Sequence, residues 1–168
     1  MALPALLKNM NLFNEGQSWL GEVAAVTIPT LTRKLEEYRG GAMDGPIKYD
    51  MGGEALEQEA TYGGPMREIL RQFGHTSASG IYQRFVGFYQ DDSSDRTATI
   101  EITTRGRHEE MEFGDQKPGE PGEFKVKSAL TYYRLDWDGV TEIEIDRLNM
   151  VFMVGGVDRL AEQRAAIL

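Results

Sequence analysis

The sequence predicts a mainly β protein, an antiparallel β-sandwich or open barrel with one short α-helix packed at the side and a short C-terminal helix. Three observations carry that prediction. Runs rich in Val, Ile, Thr, Tyr and Phe recur along the chain, about eight of them. Short clusters of Gly, Asp, Asn and Ser separate neighbouring runs, so consecutive strands join as hairpins. Helical spacing is confined to one clear stretch and the chain end, which leaves strands to supply the core.

In chain order, residues 1–11 are short and mixed and read as a terminal arm that orders on something else. Leu12-Phe13 and Gln17 to Ile28 flank Asn14-Glu15-Gly16 as a first hairpin, with Gly21 a bulge or bend. Pro29 interrupts, so Thr30 to Arg39 reads as a separate strand. Neither of its faces is purely apolar, which suits a strand that meets another subunit. Residues 39–53, RGGAMDGPIKYDMGG, hold five glycines and read as an extended loop. Its methionines, Met43 and Met51, suit docking onto a partner because the thioether adapts to an irregular surface.

Ala55 to Tyr62 is a strand. Gly63-Gly64-Pro65 ends it and opens a helix to Phe73, with Met66, Ile69, Leu70 and Phe73 on one core-facing stripe and Gly74 as the stop. Ile81 to Gln90 and Thr97 to Arg107 form a hairpin around DDSSDR, with Ile100 and Ile102 facing in and Glu101, Thr103, Arg105 and Arg107 facing out. After the polar loop 115–122 comes the longest ribbon, Glu123 to Asn149. A two-residue turn there would set Leu135 against Glu142. A three-residue loop, Trp137-Asp138-Gly139, instead aligns Leu135 and Tyr133 with Ile143 and Ile145 and sets Arg134 against Glu142. Asp158 then caps a short helix to about Ala166, anchored by Leu160 and Ile167.

The 168 residues suit one domain, 1–168, that buries roughly 70% of its extended-chain surface. No window reaches the ~20 apolar residues of a membrane span, and the start lacks the pattern of a signal peptide, so no membrane anchor is expected. With no cysteine there is neither disulfide nor zinc-thiolate site. A net charge of -9 disfavours gripping a phosphate backbone. Phosphate-loop, dinucleotide, nucleophile-elbow and HExxH motifs are missing. Asp91, Ser93 and Asp95 have the start of a calcium-loop spacing, but Arg96 takes the place of the required glycine and Ile102 that of the closing glutamate, so they read as a solvated turn. His75 and His108 lie on different elements and read as surface residues. Paired acids such as Glu109-Glu110 discriminate little in so acidic a chain. No enzyme, metal site or cofactor is expected.

Three blocks resemble the major tail tube protein of contractile-tailed bacteriophages: VTIPTLTRKLEEYRGGAMDGPI (Val26 to Ile47), LTYYRLDWDGVTEIEIDRLNM (Leu130 to Met150) and GVDRLAEQRAAIL (Gly156 to Leu168). The resemblance implies a β-sandwich subunit forming hexameric rings that stack into a hollow tube inside a contractile sheath, in a virion tail assembled in the host cytoplasm. Its partners would be further copies of itself, the sheath protein, the baseplate and the tail terminator, while DNA passes without specific binding. In such a tube, Arg39, Gly40, Gly41, Met43, Asp44, Gly45 and Met51 would form a contact between rings. Met66, Ile69, Leu70 and Phe73 would be the core helix. The lumen wall would be net negative, drawn from the faces of 30–39 and 97–107. The alternatives are the tube of an R-type phage-tail-like bacteriocin and, in a different class, a monomeric sandwich binding a small ligand or carbohydrate.

Overall fold

The computed structural model describes residues 1–168. The strands are β1 (Leu6–Asn14), β2 (Gln17–Ser18), β3 (Val23–Thr27), β4 (Arg33–Tyr38), β5 (Ile47–Gly53), β6 (Leu56–Tyr62), β7 (Ile81–Gln90), β8 (Thr97–Glu112), β9 (Phe124–Trp137), β10 (Val140–Asp146), β11 (Val151–Val154) and β12 (Val157–Asp158). One helical turn, α1 (Arg67–Leu70), follows β6, and α2 (Ala161–Ile167) ends the chain.

Strand β9 organises the fold. One side of it pairs with β8 over residues 125–137 with Thr131 left out; the other side pairs with β6 over residues 124–130 and with β10 over residues 132–137. The ten-stranded antiparallel sheet therefore forks at β9 into a β6–β3 wing and a β10–β11–β12 wing, while β8 continues through β7 to β1 and β2. Alternate residues of these strands, among them Leu56, Phe85, Ile102, Val126, Tyr133 and Ile145, converge on one buried cluster, which Met66 and Ile69 close from the α1 side. This is the open, sandwich-like β architecture expected from the sequence.

The β9–β10 ribbon reaches the expected facing by a different route. Asp138 and Gly139 alone make the turn, both with positive φ (49° and 82°), and Trp137 pairs with Val140. Positive φ at both central residues is the hairpin turn that matches strand twist. The register then skips Glu142, so Leu135 meets Ile143 and Tyr133 meets Ile145. Arg134 consequently faces Glu144 rather than Glu142.

Several expectations change. Residues 6–11 are no loose arm: they belong to β1, which runs antiparallel to β7 from Leu6↔Gln90 to Asn14↔Gln83. The run from Gln17 to Ile28 breaks at Trp19, whose carbonyl accepts the N–H groups of Glu22 (3.0 Å) and Val23 (3.1 Å); β3 then pairs with β6. The stretch 39–53 is a loop only to residue 46, because Ile47–Gly53 is β5, paired with β4 as a separate two-stranded sheet.

The helix is a single turn. Beyond Leu70 the chain tightens, with Gln72 N–H donating to Ile69 O (3.0 Å) and Phe73 N–H to Leu70 O (3.2 Å). Three residues per turn swing Phe73 roughly 120° away from Ile69. Ile69 is thus fully buried and Leu70 half-buried, while Phe73 is 59% exposed and leaves the core stripe. At the C-terminus α2 buries none of its residues and Ile167 is exposed, so only half-buried Leu160 serves as an anchor.

Candidate assembly interface

Strands β4 and β5 stand off the body. Every residue of β4 is exposed, as are residues 47–51 of β5. Register pairs Tyr38 with Ile47 and Glu36 with Tyr49 on one face, and Leu35 with Asp50 and Glu37 with Lys48 on the other. The first face is largely apolar. Tyr38 and Tyr49 touch diagonally across it with ring centroids 5.4 Å apart, and Met51 beside them is 57% exposed. The second is tied by charge, Arg33 Nε donating to Asp50 Oδ2 at 2.9 Å. A lone two-stranded ribbon is marginal in water, and this one keeps its apolar row uncovered.

The ribbon's base is nevertheless held in place. Arg147 donates to the carbonyls of Glu54 (Nη2, 3.0 Å) and Gly53 (Nη1, 3.4 Å), and Arg33 lies over the Phe152 ring at 4.9 Å. A side chain at residue 53 would collide with the Arg147 guanidinium and push it out of this clamp. At the tip, Met43 folds under its own loop: its carbonyl accepts from Arg39 Nε (3.2 Å) and its sulfur faces the Gly40 N–H at 3.1 Å. Met43 is therefore half-buried, which limits the docking role its sequence suggests, whereas Arg39, Gly41 and Asp44 remain exposed.

The body offers unfilled edges as well. The sheet path ends in β12 and β2, both two residues long, and β3 pairs only with β6. Short edge strands limit unwanted pairing in a free subunit yet leave backbone groups for a neighbour. On the outer face of the sheet the basic residues are mostly matched by acids: Arg84 with Glu101 at 2.9 Å, Arg134 with Asp136 at 3.2 Å and Lys127 with Glu57 at 3.4 Å.

Two polar residues sit elsewhere than expected. Asp91 is buried, not part of a solvated turn. It accepts from Ser93 N–H (2.8 Å), Ser93 Oγ (2.6 Å), Ser94 Oγ (2.9 Å) and Arg96 Nη2 (2.7 Å). Those hydroxyl, guanidinium and amide donors hold its carboxyl well below the usual range and leave no lone pair directed at a cation.

His108 is 6% exposed, not at the surface. Its Nδ1 meets Ser128 Oγ at 2.9 Å and its Nε2 meets Gln72 Oε1 at 2.9 Å. The chain of bonds continues through Gln83 Nε2 to Ser128 Oγ (3.1 Å), Gln58 Nε2 to Gln83 Oε1 (2.9 Å), and Gln72 Nε2 to Asn14 Oδ1 (2.6 Å). Alternation carried the signal, since counting by twos from Ile102 through Thr104 puts His108 inside. His75 is exposed, as expected, and so are Glu109 and Glu110.

The structure thus presents an exposed ribbon clamped at its base, short open edges and a core-directed polar network. The chain belongs to the phage tail tube protein FII family, whose model matches residues 4–167. It is 42% identical over 170 aligned residues to the tail tube protein of Escherichia phage P2, covering 99% of both chains. Against the major tail tube protein of Serratia phage KSP20 the identity is 33% over 158 residues, covering 93% of this chain and 91% of the relative.

Among solved structures, the fold resembles a sheath/tube terminator of an extracellular contractile injection system (TM-score 0.61, 6% identity, 80% of this chain and 97% of that one). It also resembles the tube-terminating cap of the anti-feeding prophage (TM-score 0.59, 8% identity, 80% and 91%). The protein is a structural tail tube component and not an enzyme, and its place is the tail of a virion or of a phage-tail-like particle. No helix is long and apolar enough to cross a membrane.

Proposed function

We propose that copies of this chain, each acting as one tail-tube unit over 1–168, form hexameric rings that stack into the inner tube of a contractile tail. The β4–β5 ribbon carries the contact between rings. The observation behind this is the uncovered row of Tyr38, Ile47, Tyr49 and Met51 on a ribbon whose base is clamped by Arg147. A neighbouring ring would cover that row, and the tip residues Arg39, Gly40, Gly41, Met43, Asp44 and Gly45 would reach furthest. The sheet edges would join neighbours within a ring. Outside the tube the partners are the sheath, the baseplate and the terminator. The lumen wall is net negative, with its basic residues engaged by acids or by neighbouring subunits, so DNA passes without specific binding.

Size-exclusion chromatography with negative-stain electron microscopy of the purified chain tests this reading. Rings or tubes at high concentration are expected. A chain that stays monomeric supports instead the reading as a ligand-binding sandwich module.

A further inference from the structure

The outer face of the sheet holds a polar cleft of about 350 Å³ that the ring contacts above leave unused. Thr103 lies at its floor, between Arg84 of β7 and Arg134 of β9 in the strand register. Only 3% of Thr103 is exposed, and its Oγ1 has no hydrogen-bond partner. The β8–β9 register skips Thr131, between Arg105↔Tyr132 and Gly106↔Leu130. That bulge turns Thr131 into the cleft beside Tyr132, and its buried Oγ1 is unpartnered too.

Arg134 Nε is 3.2 Å from Asp136 Oδ2 yet makes no hydrogen bond. The guanidinium of Arg105 stacks on Tyr82 at 5.6 Å without an acid beside it. Asp146, the one carboxylate on the cleft wall, is engaged by its own turn: Oδ1 takes the N–H groups of Leu148 and Asn149 (both 3.1 Å) and Oδ2 takes Asn149 Nδ2 (2.7 Å). Buried hydroxyls and guanidinium N–H groups without partners are uncommon and mark a place where an acceptor is missing.

We propose that this cleft seats a carboxylate from a second copy of the chain, an inference that rests on the self-assembly reading. The Arg105 guanidinium, the Arg134 Nε–H and two hydroxyls around one cleft match the donor pattern a carboxylate accepts. The chain itself offers the ligand. It carries 27 acids against 18 bases, and its nine ion pairs leave carboxylates in excess on the surface that a neighbour presents. Nucleic-acid phosphate, whose negative charge is uninterrupted by positive groups, is repelled by a body of net charge -9, whereas a second copy presents its 27 acids interleaved with 18 bases.

The test compares wild type, Thr103→Val, Arg105→Gln and Arg105→Lys by thermal melting, by the concentration at which assemblies appear, and by titration with sodium glutarate and a duplex oligonucleotide. Val keeps the shape of Thr103, and Arg105 is exposed, so wild-type melting is expected for all. The Val and Gln variants should need about tenfold more protein to assemble, Lys should recover part of the loss, and glutarate should inhibit wild-type assembly beyond its ionic strength. If wild type assembles and the Val and Gln variants match it, the seat is wrong while the assembly reading stands. Loss of oligonucleotide binding in those variants, with assembly unchanged, reassigns the cleft to phosphate and overturns the proposal. A wild type that never assembles removes both.

Discussion

Leu135 stands opposite Ile143 across the β9–β10 ladder because Glu142 is left out of the pairing. The two-residue turn by itself would have put Glu142 against Leu135 and reversed the facing of every residue beyond it. One extruded residue restores the apolar match, and the buried positions of Tyr133 and Ile145 depend on it.

Deleting Glu142 should therefore be tolerated. The shortened strand already has Ile143 in place, and the main loss is the bond from Gly155 N–H to the Glu142 carbonyl (2.9 Å), a cost of about 1 kcal/mol. Deleting Ile143 instead moves Glu142 into the apolar position and should leave no folded subunit. Circular dichroism with thermal melting of the two deletions separates them, and equal stability would contradict the bulge's role.

Truncations along α1 should split sharply. Ile69→Ala empties a fully buried site and should cost ~2–5 kcal/mol. Phe73→Ala, at an exposed site, should stay within about 0.5 kcal/mol of wild type in a urea titration. Comparable losses would restore Phe73 to the core.

Stability should fall as pH is lowered from about 6.5 to about 4. Burial pushes the His108 imidazole down to about 4, so the folded state keeps it neutral while the unfolded chain protonates near 6.5. Within that window unfolding takes up a proton, which favours the unfolded state increasingly as pH falls, by on the order of 3 kcal/mol in total. Carboxylates act mostly at lower pH. His108→Gln should flatten the slope between these limits in denaturant titrations, and an unchanged slope would exclude His108 as its source.

Gly106→Ala should unfold the sheet locally. An added Cβ would run into the Ala129 carbonyl on β9, and neither backbone can move without breaking the β8–β9 ladder. Loss of amide protection in β8 and β9 by hydrogen exchange is the expected result; native protection would show that the ladder can shift.

Much of this fold was legible because its signals are local. The Asp138-Gly139 turn, the alternation of Ile100 and Ile102, and the Gly63–Pro65 break each lie within a few residues of what they determine. What escaped depends on distant partners. Residues 6–11 look irregular alone and become a strand only because β7 offers an edge. Ile47–Gly53 lies in a stretch, 39–53, whose five glycines read as a loop, yet pairing with β4 makes it a strand. Polarity alone reads Asp91 and His108 as surface residues. In the structure each has found enough partners to be buried. Composition alone marks residues 39–45 as a loop suited to docking, and the structure places them at the tip of a clamped ribbon.

The central claim is that this ribbon joins rings. Removing residues 41–45 trims the tip and spares the Tyr38–Tyr49 contact and the Arg147 clamp. Electron microscopy of that deletion, beside a melting curve, is the most direct measurement. A subunit with wild-type melting that forms no long tubes is the predicted result, and normal tubes from the deleted chain would contradict it.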